Sequence, residues 1–119
     1  MAYSRVMAGK LITVVETPLF VRQAGGIWDD DERLEFVTFI AANPTVGDII
    51  PDTGGVRKVR WSRPGTGKRG GARVVYFYHD DERPLYLLLA YAKGRKEDLS
   101  PAEKRKVREL TVRLKGGRK

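Results

Sequence analysis

No cysteine occurs among the 119 residues, and His79 is the lone histidine. Disulfide bonds and thiolate metal sites are excluded, and a structural zinc site has no adequate ligand set, so no metal or other cofactor is expected. The missing thiols fit a reducing, cytoplasmic setting. The same scarcity removes two catalytic classes. A cysteine nucleophile is absent, and a Ser-His-Asp triad would depend on His79, which stands in the polar run His79-Asp80-Asp81-Glu82 and is expected at an exposed strand end. No apolar run approaches the roughly 18–20 residues that span a bilayer. The start, MAYSRVMAGKLITVV, has a short apolar patch without a small-residue cleavage site, so neither a membrane partner nor a signal peptide is expected. Met7 is an alternative start.

A second absence is local. From Gly54 to Tyr78 there is no acidic residue, while Arg57, Lys58, Arg60, Arg63, Lys68, Arg69 and Arg73 all fall there. The formal net charge is +8 and the sequence pI is near 10.0. The excess is uneven: residues 1–53 hold four cations against eight acids, and residues 93–119 hold eleven cations against four. The second half thus offers a basic surface carried on an acidic first half, and a polyanion is the natural partner of such a surface.

What is present is a regular apolar pattern at 41% hydrophobic content, which excludes disorder and predicts one α+β domain over residues 1–119. Residues 1–9 are expected to be a flexible start and 116–119 a frayed tail. Residues 10–16, KLITVVE, predict a strand. Thr17-Pro18 opens a short helix that Gly25-Gly26 stops. A longer helix over 29–42 carries Leu34, Val37, Ile40 and Ala41 on its apolar stripe, widened by Phe36 and Phe39, and ends at Asn43-Pro44. Residues 45–55 read as a connector anchored by Val46, Ile49 and Ile50. Antiparallel strands follow at Val56–Ser62, Ala72–His79 and Leu85–Tyr91, the last apolar on both faces and so central. Ser100-Pro101-Ala102-Glu103 is a capping box opening a helix with Val107, Leu110 and Leu114 on one stripe and Lys104, Arg105 and Arg108 off it. The expected order is βααβββα.

The glycine-rich loop GTGKRGG is not a nucleotide-phosphate loop. Gly67-Lys68 is followed by Arg69 rather than a hydroxyl residue, and Ser62 stands where the first glycine belongs. The strand cations carry more. At period two, Lys58 and Arg60 share one face while Val59 and Trp61 take the other, and Arg73 lies near the start of the adjoining strand. Three cations can therefore converge on a patch about one ribophosphate wide, with Lys93 and Arg95 closing an edge. Lys68 and Arg69 suit gripping an RNA backbone. Arg57 is a further candidate RNA contact, although plain surface charge is the preferred reading for it and for Arg63. Attack of an RNA 2′-hydroxyl on its neighbouring phosphate needs charge relief that preorganised cations supply, and proton transfers besides.

The runs GGVRKVRW, GTGKRGGARVVYFY and LYLLLAYAKGRKEDLSPAE together resemble the RelE superfamily of toxins, most closely its HigB-type members, over about residues 12–115. The resemblance implies a small RelE-like α+β fold: a curved antiparallel sheet, helices packed on one face and a basic cleft. It implies a type II toxin that cuts messenger RNA in the ribosomal decoding site without metal, leaving a cyclic phosphate. A cognate antitoxin, of helix-turn-helix type, silences such a toxin, and the pair binds its own operator DNA. Carried over residue by residue, Lys58 and Arg60 match the basic strand positions, Arg73 the arginine of G-x-R-hydrophobic-hydrophobic-Tyr, and Lys93 or Arg95 the basic end of the last strand. RelE-type relatives place an essential tyrosine shortly after that end, where this chain reads EDLS; Tyr76, Tyr78 and Tyr91 are the alternatives. Two other readings stay open: a non-catalytic toxin of the same fold acting on DNA gyrase, and a basic nucleic-acid-binding module.

Overall fold

The computed structural model describes residues 2–7, 10–62, 71–92 and 99–116. These form β1 (Ala2–Met7), β2 (Lys10–Glu16), α1 (Pro18–Ala24), α2 (Asp30–Ala42), β3 (Asp48–Ile49), β4 (Val56–Trp61), β5 (Ala72–Phe77), β6 (Leu85–Ala92) and α3 (Pro101–Gly116). The α+β class and the expected elements are present, with β1 and β3 in addition. Residues 2–7, expected as a flexible start, instead pair antiparallel with β2 along their whole length, from Ala2↔Val15 to Met7↔Lys10.

The helix ends follow local chemistry. The Thr17 hydroxyl accepts from Phe20 N at 3.3 Å, and Pro18 takes the first helical position, where its missing N–H costs nothing. Asp29 and Glu32 exchange side-chain-to-backbone bonds of 2.8 and 3.1 Å at the start of α2, and Ser100 and Glu103 do the same at 3.1 and 2.9 Å for α3.

The strand order is β1-β2-β6-β5-β4-β3. The sheet is mixed rather than wholly antiparallel. β2 runs parallel to β6, a pairing that demands a crossover, and α1, α2 and the β3–β5 strands supply it. As its two-sided apolar pattern requires, β6 is central. Helices lie on both faces, not one. α1 and α2 cover the side where Phe20, Phe36, Val37 and Ile40 meet Val74, Tyr76, Leu85 and Leu87. α3 crosses the other, setting Val107 against Val56, Val75, Phe77 and Leu88. Two covered faces explain why every residue of β5 is buried. Leu34, expected on the core stripe of α2, is 48% exposed; Phe36 takes the inward place.

Candidate active site

Trp61 fixes which way β4 faces. Its ring meets Trp28 edge-on at 5.5 Å and Phe36 at 5.6 Å, so the β4 residues sharing its side look toward α2. Strand alternation then turns Val56, Lys58 and Arg60 to the opposite side. On β5 the same split sends Val74 and Tyr76 toward α1 and α2 and leaves Arg73 and Val75 on the α3 side. The register places Arg60 directly opposite Arg73 and Lys58 opposite Val75. Three of the expected site residues, Lys58, Arg60 and Arg73, therefore share one face. Together with Asp48 and Val59 they line a cavity of about 170 Å³.

The electrostatics of this cavity are unusual for a fold acting only as a scaffold. Like charges set directly opposite on one sheet face are destabilising, by roughly 0.2–1 kcal/mol per pair. Arg73 is moreover 8% exposed. Burying a cation beside a second cation is tolerable where an anion completes the site. Lys58 also borders a second depression, of about 250 Å³, formed with Ile49, Ile50, Pro51, Leu99 and Lys104, which extends the basic surface to α3.

Arg57, expected at the RNA surface, is separated from the group. It lies on the α2 side, where one guanidinium nitrogen donates to Gly47 O at 2.7 Å and Thr45 O at 3.2 Å. Lys68, Arg69, Lys93 and Arg95 lie outside the described residues. His79 is exposed just past β5, stacked on Phe77 with its ring centre 6.2 Å away.

The tyrosines divide by face. Tyr76 is fully buried on the α2 side, where its hydroxyl accepts from Gly47 N and donates to Pro44 O, both at 2.9 Å. Desolvation raises its pKa, against the backbone bond from Gly47. Tyr78 also packs on the α2 side and donates to Asp81; desolvation, and then that bond, push it up to about 12. Neither phenol is placed or poised to take a proton at the cations. Tyr91 is the cross-strand partner of Arg73 and so shares the cation face.

The residue that sequence reading missed is Asp48. It belonged to the expected connector, but it forms half of the two-residue strand β3, opposite Lys58. Of the three apolar anchors expected there, only Ile50 is buried; Val46 and Ile49 are 47% and 57% exposed. What holds β3 instead is the set of polar bonds from Tyr76 and Arg57 to residues 44–47. A tyrosine 29 residues downstream of Gly47 is not a signal that local pattern carries.

No helix among the described residues is long and apolar enough to cross a membrane. The family model of the RelE toxin of RelE/RelB toxin–antitoxin systems matches residues 33–118. That span is well over half of the chain and contains Asp48, Lys58, Arg60, Arg73 and Tyr91, so this chain belongs to the RelE family of toxins, whose partner is an antitoxin.

Proposed function

We propose that this toxin is an endoribonuclease that cuts messenger RNA on the ribosome and so stops translation. The observation that carries the reading is the Arg60–Arg73 opposition on the face that also bears Lys58. Two guanidinium groups set opposite each other, one of them 8% exposed, with a lysine on the same face, suit an anion such as a phosphate. In RNA cleavage by the 2′-hydroxyl, the phosphate gains charge on its non-bridging oxygens as the pentacoordinate state forms. Fixed cations at that point stabilise the transition state more than the ground state, and they need no reorganisation when the charge develops. Guanidinium forks suit two phosphate oxygens, and the lysine suits a third position as a compact charge. Cleavage by this route uses no metal and leaves a cyclic phosphate and a 5′-hydroxyl. The ribosome supplies what so small a cavity does not, a messenger strand held in extended geometry.

Lys58→Ala, Arg60→Ala and Arg73→Ala should each lower cleavage about 10²–10³-fold, the usual cost of one charge-stabilising donor. Expression of each variant should release growth arrest, with circular dichroism showing a folded protein. Primer extension on translated messages reads the outcome directly. Discrete breaks that vanish in the variants support the nuclease. Intact messages accompanied by DNA damage would indicate a toxin that acts on DNA gyrase instead.

A further inference from the structure

We infer that Asp48 is the proton acceptor of the cleavage reaction. The inference rests on the nuclease reading above and gives the same site the one function its cations cannot perform. Lys58, Arg60 and Arg73 relieve negative charge; none of them accepts a proton while it carries its own. Among the described lining residues of the 170 Å³ cavity, Asp48 is the one carboxylate; the others are three cations and a valine. Tyr91 shares the face but is not among the described residues lining the cavity.

The fold holds Asp48 there at some expense. β3 is two residues long and has little apolar anchorage of its own. Four hydrogen bonds from two side chains, all to residues 44–47, fix the backbone immediately before Asp48. Gly47 permits the approach. A Cβ at that position would stand 2.8 Å from Lys58 O and 2.9 Å from the Tyr76 ring and hydroxyl. The pinned backbone pairs Asp48 with Lys58, so directly opposite residues bring a carboxylate and an ammonium to the same side of the sheet.

The step balances as follows. The 2′-oxygen forms its bond to phosphorus as its proton passes to the Asp48 carboxylate. The bond from phosphorus to the 5′-oxygen breaks, and the departing oxygen keeps the electron pair and takes a proton from water. The proton on Asp48 then neutralises the hydroxide left behind. No oxidant, metal or second substrate enters.

Asp48→Asn preserves shape at an exposed position and removes the acceptor. On ribosomes programmed with a cleavable message, its single-turnover rate should fall about 10²–10⁴-fold, and Asp48→Glu should recover part of that loss. Binding of a message carrying a 2′-deoxy nucleotide at the cut site should be unchanged or tighter, because a negative charge has gone. A message with sulfur in place of the departing 5′-oxygen, whose leaving group needs no proton, should not rescue Asp48→Asn. Cleavage by Asp48→Asn at the parent rate would overturn the assignment, as would rescue by the sulfur substrate, which would make Asp48 a donor, or a loss explained wholly by weaker binding. Absence of cleavage by the parent protein would overturn the nuclease reading itself.

Discussion

Arg73 carries its charge into the interior of the sheet, and its neighbours define what that charge is for. Arg60 lies opposite on β4, Tyr91 opposite on β6, and the cavity shared with Lys58 and Asp48 opens beside it. Three residues along β5 on the other face, Tyr76 serves the backbone of residues 44–47. A single short run, Arg73 to Tyr76, therefore presents one residue to the cavity and another to the latch behind it. The tyrosines also make a pH prediction. A fold that lifts Tyr78 from 10.0 to about 12 favours its neutral phenol, so the stability it contributes is complete below pH 10 and is lost as pH rises through about 12. Urea midpoints measured in steps across that window should fall, and Tyr78→Phe should fall less steeply. Equal slopes in parent and variant would contradict the placement of the Tyr78 hydroxyl against Asp81.

Among the elements, β3 is the one whose integrity decides the site. Tyr76→Phe removes the acceptor of Gly47 N–H and the donor to Pro44 C=O in a buried place, at a cost of about 2 kcal/mol. Gly47→Ala meets backbone and a buried ring rather than a yielding side-chain tip, so it should destabilise at least as much. Denaturant unfolding of both variants checks this; parent-like midpoints would mean that β3 is held otherwise. The same element shows where reading from residues stops. The helix starts at Thr17-Pro18 and Ser100-Pro101 were legible because a cap and its target lie within three or four positions. The alternation of Lys58 and Arg60 with Val59 and Trp61 was legible because a strand six residues long displays its period. A strand of two residues displays none, and the bonds that create it come from Arg57 and Tyr76. Leu34 misled for a related reason: helical spacing gives a stripe but not its centre, and the aromatic cluster of Trp28, Phe36 and Trp61 pulled the stripe toward Phe36.

Across the whole molecule, the two faces of the sheet have different duties. α1 and α2 pack a core on one side, and Arg33 closes on the buried Glu16 at 3.0 Å to tie α2 to β2. α3 covers only part of the other and leaves the cations of β4 and β5 beside it. Its own seat is polar as well as apolar. The hydroxyl of Thr111, buried in the middle of the stripe, donates to Thr53 O at 3.0 Å. Gly54 follows at φ +82, where a Cβ would come within 2.7 Å of that hydroxyl. The second half thus supplies the cations of the α3-side face, and the acidic first half supplies α1, α2 and the carboxylate of Asp48 at the cavity. Amino-acid pattern indicated that division through charge, but not that β2 joins β6 in parallel. Nothing in either strand's composition encodes which neighbour it takes.

The parallel pairing has a consequence for synthesis. Thr17 donates from both its backbone N–H and its hydroxyl to Leu87 O, at 3.2 and 2.7 Å, across 70 positions of chain. Within the sheet β6 alone pairs with both β2 and β5, so the β1–β2 ribbon and the β4–β5 hairpin are not joined by strand pairing until β6 has been made and has left the ribosomal tunnel. Closing so long a loop is slow compared with forming a hairpin. A chain that stops before Leu85 should stay open to protease and should not arrest growth, whereas one that includes β6 and α3 should resist digestion; limited proteolysis of stalled and released chains separates the two. The cation face of β4 and β5 is therefore flanked by sheet on both sides only once β6 has emerged and paired.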